Sequence, residues 1–77
     1  MESVNTGDQL RRLRESSHLS QSELSERTGL PQGRISRIEG GDSFRFETVV
    51  RYANGCGFYA EIVFKKIKGT RKEGSDD

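Results

Sequence analysis

The 77-residue sequence predicts a mainly α fold, a bundle of about four to five short helices followed by one C-terminal β-strand. Three observations predict it. Apolar residues recur at three- and four-residue spacings between Leu10 and Ala53, as on one face of a helix. Gly29, Pro31, Gly40, Gly41, Gly55 and Gly57 cut that run into pieces of a few turns each. Beyond Gly57 the period drops to two, which is the pattern of a strand.

Residues 1–5 are polar and read as a flexible N-terminus. The first helix runs from Thr6 or Gly7 to Ser17, with Thr6 or Asn5 as its cap and Leu10, Leu13 and Ser17 on its inner face. Asp8 falls in its first turn, where the helix dipole favours an acid. Ser20 opens the second helix with the Ser-x-x-Glu capping box to Glu23, and Leu19 and Leu24 are placed to form the hydrophobic staple. Gly29 is the expected left-handed residue after its last turn. Pro31 suits the first turn of a third helix, where its missing N–H is not needed. Two short helices joined by a tight glycine turn make a helix-turn-helix.

Gly40 to Ser43 reads as a loop, and Phe46, Val49, Val50 and Ala53 give a fourth helix through about Asn54 with Tyr52 alongside. In Phe58 to Ile67 the residues Phe58, Ala60, Ile62 and Phe64 alternate with Tyr59, Glu61, Val63 and Lys65. This is the one strand candidate, and a lone strand leaves its backbone groups unpaired unless a second chain supplies a partner. The expected organisation is therefore a helix-turn-helix domain over 6–57, a dimerisation strand over 58–67 and a disordered tail over 68–77.

Composition narrows the functional classes. With 30% hydrophobic and 32% charged residues the chain buries little apolar area, so help from a partner subunit is expected. One cysteine, Cys56, and one histidine, His18, build neither an intramolecular disulfide nor a metal cluster. No nucleophile–base pair or carboxylate dyad stands out, so no enzyme activity, metal or cofactor is expected. The N-terminus has no apolar signal-peptide core and no apolar run approaches the ~20 residues that span a bilayer, so a cytoplasmic protein is expected. Residues 1–57 hold eight arginines against eight acids, and the net charge is only +1. Bulk charge therefore does not predict a nucleic-acid partner; the placement of the arginines has to.

Gln21, Leu24, Ser25, Gly29, Leu30, Ile35, Ile38, Glu39 and Gly40 supply that placement. Their spacing resembles the lambda-repressor-like helix-turn-helix family of phage repressors, the Cro/C1 or XRE type. That family runs Gln-x-x-Leu-Ala-x-x-x-Gly-Val/Ile, then after four residues Ile, and after two more a large apolar residue, Glu and Gly. Ser25 stands where Ala is usual and Leu30 where Val or Ile is. The resemblance covers roughly residues 7–58. It implies a structural ion pair between Arg14 and Glu39. It also implies base reading by Gln32 and Arg37, because Ile35 and Ile38 face inward.

Glutamine can bond adenine and arginine guanine in the major groove. Ser36 and Gly33 share that exposed face; Gly33 either admits a close backbone approach or gives up a contact. Gln21 matches a family phosphate contact, and Arg34, Ser43 and Arg45 are expected on phosphates rather than bases. Phe44 replaces a frequent proline and Cys56 a usual leucine. The terminal strand looks like that of HipB-type antitoxins, whose C-terminal strands pair across a dimer. Together these imply a homodimeric repressor on a palindromic double-stranded DNA operator, and within that class an antitoxin that also binds a toxin protein. A phage or restriction-system controller is the nearest alternative. A protein-interaction adaptor without DNA binding is the alternative from another class.

Overall fold

The computed structural model describes residues 6–68. Among these residues four helices form: α1 Thr6–Ser16, α2 Gln21–Thr28, α3 Gln32–Glu39 and α4 Phe46–Gly55. The expected Asn5 cap lies outside the described residues. α1 ends one residue before Ser17, and the stop is made without glycine. His18 turns left-handed at φ 59°, which lets the Leu19 N–H reach the Arg14 carbonyl at 3.2 Å.

The local signals at α2 act as their chemistry dictates. The Ser20 hydroxyl accepts from the Glu23 N–H at 3.0 Å while the Ser20 N–H donates to Glu23 Oε1 at 2.8 Å. Those bonds, first the one from the Ser20 backbone, hold the Glu23 carboxyl below its ordinary pKa. Gly29 sits at φ 82°, a conformation costly for residues with a Cβ, and its N–H closes onto the Ser25 carbonyl at 2.8 Å. Pro31 lies one position earlier than expected: it is the residue before α3, and its carbonyl accepts from Arg34 and Ile35.

The helices pack around one core. α2 lies against α3 and α4, and α1 crosses the same pair. Leu10, Leu19, Leu24, Leu30, Ile35, Ile38, Tyr52 and Cys56 form the core, with Leu13, Phe44 and Val49 packed on its edge. Phe44 thus closes the loop over the core. Gly7 marks the tightest crossing. A Cβ there would collide with the Ile38 carbonyl and stand 3.0 Å from that of Glu39. The N-terminal end of α1 rests directly on the C-terminal end of α3.

The inner face of α4 keeps Val49 and Ala53, as spacing suggests, but takes Tyr52 rather than Phe46. Phe46 is 41% exposed, whereas Tyr52 is completely buried with Ala53 and Cys56 beside it. A phenol can occupy that core position because its hydroxyl finds polar partners there, Glu39 and the Leu10 carbonyl.

The expected strand at Phe58, Ala60, Ile62 and Phe64 is not formed among the described residues. The Phe58 N–H is tied to the Ala53 carbonyl at 2.9 Å, and the segment beyond it joins no ladder. The physical reason is that a strand exists only by pairing, and the described part of this chain has no second strand to offer. Its apolar side chains lie open, with Phe64 89% and Tyr59 78% exposed. Most of the expected tail, residues 69–77, lies outside the described residues. Among the described residues no helix is long and apolar enough to cross a membrane.

Candidate nucleic-acid interface

α3 is held from behind and open in front. Ile35 and Ile38 anchor it in the core, and Glu39 closes its last turn in a buried ion pair. The opposite face carries Gln32, Gly33, Ser36 and Arg37, all exposed. Their spacing of one, three and four residues puts the four on one side of the helix. No side chain caps α3; the Pro31 carbonyl takes the Arg34 and Ile35 N–H groups instead.

The anchoring ion pair is a four-residue network. Arg14 grips Glu39 in a fork, Nε to Oε2 at 2.7 Å and Nη2 to Oε1 at 2.9 Å, and its Nη1 donates to the Leu19 carbonyl at 2.8 Å. The Tyr52 hydroxyl donates to Oε2 of the same carboxylate. Gln21 Nε2 donates to Oε1 at 3.1 Å. Burial alone would raise the Glu39 carboxyl, but the donors from Arg14, Tyr52 and Gln21 outweigh it and hold the pKa below the ordinary range. The same contact with Glu39 raises Arg14, and burial followed by the bond to Glu39 raises the Tyr52 phenol. All three ionisation states are therefore locked near neutral pH: anionic Glu39, cationic Arg14 and neutral Tyr52.

Gln21 sits at the first residue of α2, half-buried, with one amide hydrogen engaged by Glu39. An amide has two N–H donors, so the second stays available while the first fixes the side chain's direction. The remaining residues with expected phosphate contacts flank α3. Arg34 is half-buried on α3, and Ser43 and Arg45 are exposed in the loop leading to α4. Arg37 is not idle in the free chain. Its Nε stands 3.8 Å from Asp42, in a pair whose side chains are more than half exposed. Such an exposed pair is worth about 0–1 kcal/mol, so it restrains Arg37 without holding it from another acceptor.

Three residues act in ways that sequence reasoning did not anticipate. Tyr52 joins the network from forty-two residues beyond Leu10, a separation at which no local pattern signals contact. Ser25, read as a small residue at a helix crossing, also uses its hydroxyl to close the turn onto the Leu30 carbonyl at 2.6 Å. His18 makes the left-handed turn after α1, where the absence of glycine removed the usual signal. Cys56 is buried, and burial raises its thiol above the ordinary pKa and away from the reactive thiolate.

A family model described as a helix-turn-helix domain matches residues 6–61, most of the chain. No curated protein and no solved structure matches.

Proposed function

From the premise that the chain belongs to the helix-turn-helix domain family, we propose that it is a sequence-specific DNA-binding transcriptional regulator acting as a homodimeric repressor. The observation that carries this reading is the exposed face of α3, Gln32, Gly33, Ser36 and Arg37, on a helix whose other side is fixed in the core. A side chain can discriminate bases only if its helix is rigidly placed in the groove. Gln32 and Arg37 read base edges, with Ser36 beside them and Gly33 admitting the groove wall. Gln21, Arg34, Ser43 and Arg45 hold phosphates. Leaving the Asp42 side frees the Arg37 guanidinium for a guanine edge.

In the dimer the two α3 helices enter successive major grooves, about 34–36 Å apart, on a palindromic operator. Repression follows from occluding a promoter. The resemblance to phage-repressor and HipB-type sequences, with the apolar segment after Gly57, supports an antitoxin that represses its own operon. A kinase-like or ribonuclease-like toxin encoded in the adjacent reading frame is expected on that reading.

The test is binding of the chain to the DNA upstream of its own reading frame, titrated with salt. Each phosphate contact steepens the slope of log K against log salt by about 0.9. Arg37→Ala is expected to cost about 1–3 kcal/mol and relax specificity at one base pair, whereas Arg45→Ala weakens all sequences and flattens the slope by about 1. Salt-independent or absent binding would instead favour the adaptor reading, for which the near-neutral net charge of +1 is the motivating observation.

A further inference from the structure

We infer that the cleft between the C-terminal ends of α2 and α4 binds a small polyanion, a ligand carrying two or more carboxylate or phosphate groups. This goes beyond the DNA-binding reading and does not depend on it, since no residue of the cleft belongs to the α3 face or to its flanking phosphate contacts. The cleft has a volume of about 360 Å³ and is lined by Arg27, Thr28, Arg51, Asn54 and Gly55. That volume falls within the range of small-molecule sites, about 300–1,000 Å³. Gly55 brings the two helix ends together. A Cβ there would stand 2.8 Å from Leu24 Cδ1 and closer still to the Thr28 methyl. The bare backbone of α4 therefore rests on α2, with Arg27 and Arg51 extending from the two helices beside that contact.

Charge decides what fits. Arg27 and Arg51 are the ionisable residues of the lining, and no carboxylate is among the described residues that form it. The nearest acids along each helix are placed elsewhere. Glu23, one turn before Arg27, is engaged by the Ser20 N–H at 2.8 Å. Glu47, one turn before Arg51, borders a smaller hollow of about 140 Å³ with Leu30 and Thr48, which shares Arg51 with the cleft. Among the described residues it makes no ion pair with Arg51. Arg27 donates from Nη1 to the Gly55 carbonyl at 3.1 Å, which directs the guanidinium and offsets the partial negative charge at the end of α4. Its other N–H donors remain open, as do those of Arg51 and the Asn54 amide. The Thr28 hydroxyl is already used, donating to the Leu24 carbonyl at 2.8 Å and accepting from the Leu30 N–H at 3.1 Å. Recognition therefore falls to the two guanidinium groups and the amide. A cleft lined by one sign of charge concentrates counter-ions, and each guanidinium fork matches the paired oxygens of a carboxylate or phosphate. A ligand with one such group engages one fork. A ligand with two engages both, relieves the repulsion between the arginines and ties α2 to α4.

Calorimetric titration of the full chain with pyrophosphate, citrate and acetate at about 150 mM salt tests this. Pyrophosphate or citrate is expected to bind once per chain with a Kd of about 1 mM or tighter, and acetate about tenfold more weakly or worse. The tighter of the two polyanions identifies phosphate or carboxylate as the chemistry the cleft prefers. Arg51 is exposed and makes no ion pair among the described residues. Arg51→Gln is therefore expected to weaken polyanion binding about tenfold or more while leaving the thermal midpoint of the free chain unchanged. Arg37→Ala, on the α3 face, is expected to leave polyanion binding as it is. In NMR spectra the amides of Thr28, Asn54 and Gly55 are expected to shift on titration, and those of Gln32 and Gly33 to stay in place. Absence of binding by both polyanions overturns the inference. Binding that survives Arg51→Gln, or that is lost with Arg37→Ala, overturns it as well by moving the ligand to another surface. None of these results bears on DNA binding, which the operator titration tests separately.

Discussion

Tyr52→Phe removes one oxygen and leaves the ring to fill its fully buried site, so it isolates the hydroxyl bond to Glu39. A bond to a charged acceptor contributes about 1.5–3 kcal/mol. The carboxylate side chain is only 5% exposed, so water does not readily replace the lost donor. For a domain of this size each kcal/mol moves the thermal midpoint by about 4–8 °C, so at neutral pH the midpoint is expected to fall by at least roughly 6 °C. The pH dependence follows from the shifts. Glu39 is held below its unfolded pKa, so its contribution is present above about pH 4.3 and is lost as pH falls through the native value. Tyr52 is held above its unfolded pKa, so its contribution is present below about pH 10 and is lost as pH rises beyond it. The gap between wild type and Tyr52→Phe is therefore widest between those limits and narrows on both sides. Melting followed by circular dichroism from pH 3 to 11 measures it, with exposed Tyr59→Phe as the control. A midpoint within 2 °C of wild type at pH 7, or a gap that does not vary with pH, would refute the network as described.

Arg14→Ala orphans the buried Glu39 and is expected to cost about 3–5 kcal/mol, against little for exposed Arg11→Ala; equal thermal midpoints for the two would contradict this. His18→Gly relieves a left-handed residue at φ 59° and is expected to raise stability by several tenths of a kcal/mol, read by urea titration; a loss would mean that the imidazole makes a compensating contribution. Gly33→Ala has room, since its Cβ would meet only Arg37 Nη1 at 3.7 Å, and is expected to stabilise α3 by up to about 1 kcal/mol while weakening operator binding. Unchanged operator affinity in a stabilised Gly33→Ala protein would show that the groove does not need the bare backbone.

The helix-turn-helix was legible because its determinants are local. The Ser20–Glu23 box, the αL glycine at Gly29 and the inward spacing of Ile35 and Ile38 each involve groups within one or two turns. Arg14 and Glu39 were legible only through the resemblance, since their partners lie twenty-five residues apart. On α4 the spacing placed Val49 and Ala53 inward, but hydrophobicity ranks Phe46 above Tyr52 and the order of burial is the reverse. Burial there depends on which side chain can satisfy its polar end, not on which is most apolar. The close approach at Gly7 left no trace in the spacing, because it is set by how α1 crosses α3.

By itself the sequence determined the start and stop of α2 and which side of α3 faces out, since caps, turns and periodicity act through the nearest few residues. Only the tertiary structure decided that Tyr52, Arg14 and Gln21 converge on one carboxylate. Removing Glu39 from water makes every one of those hydrogen bonds stronger and every missing one costly, so the bundle's closure gives the network its energetic weight. The segment after Gly57 follows the same logic. Its alternation was plain in the sequence, but backbone pairing requires a second strand, and none exists among the described residues.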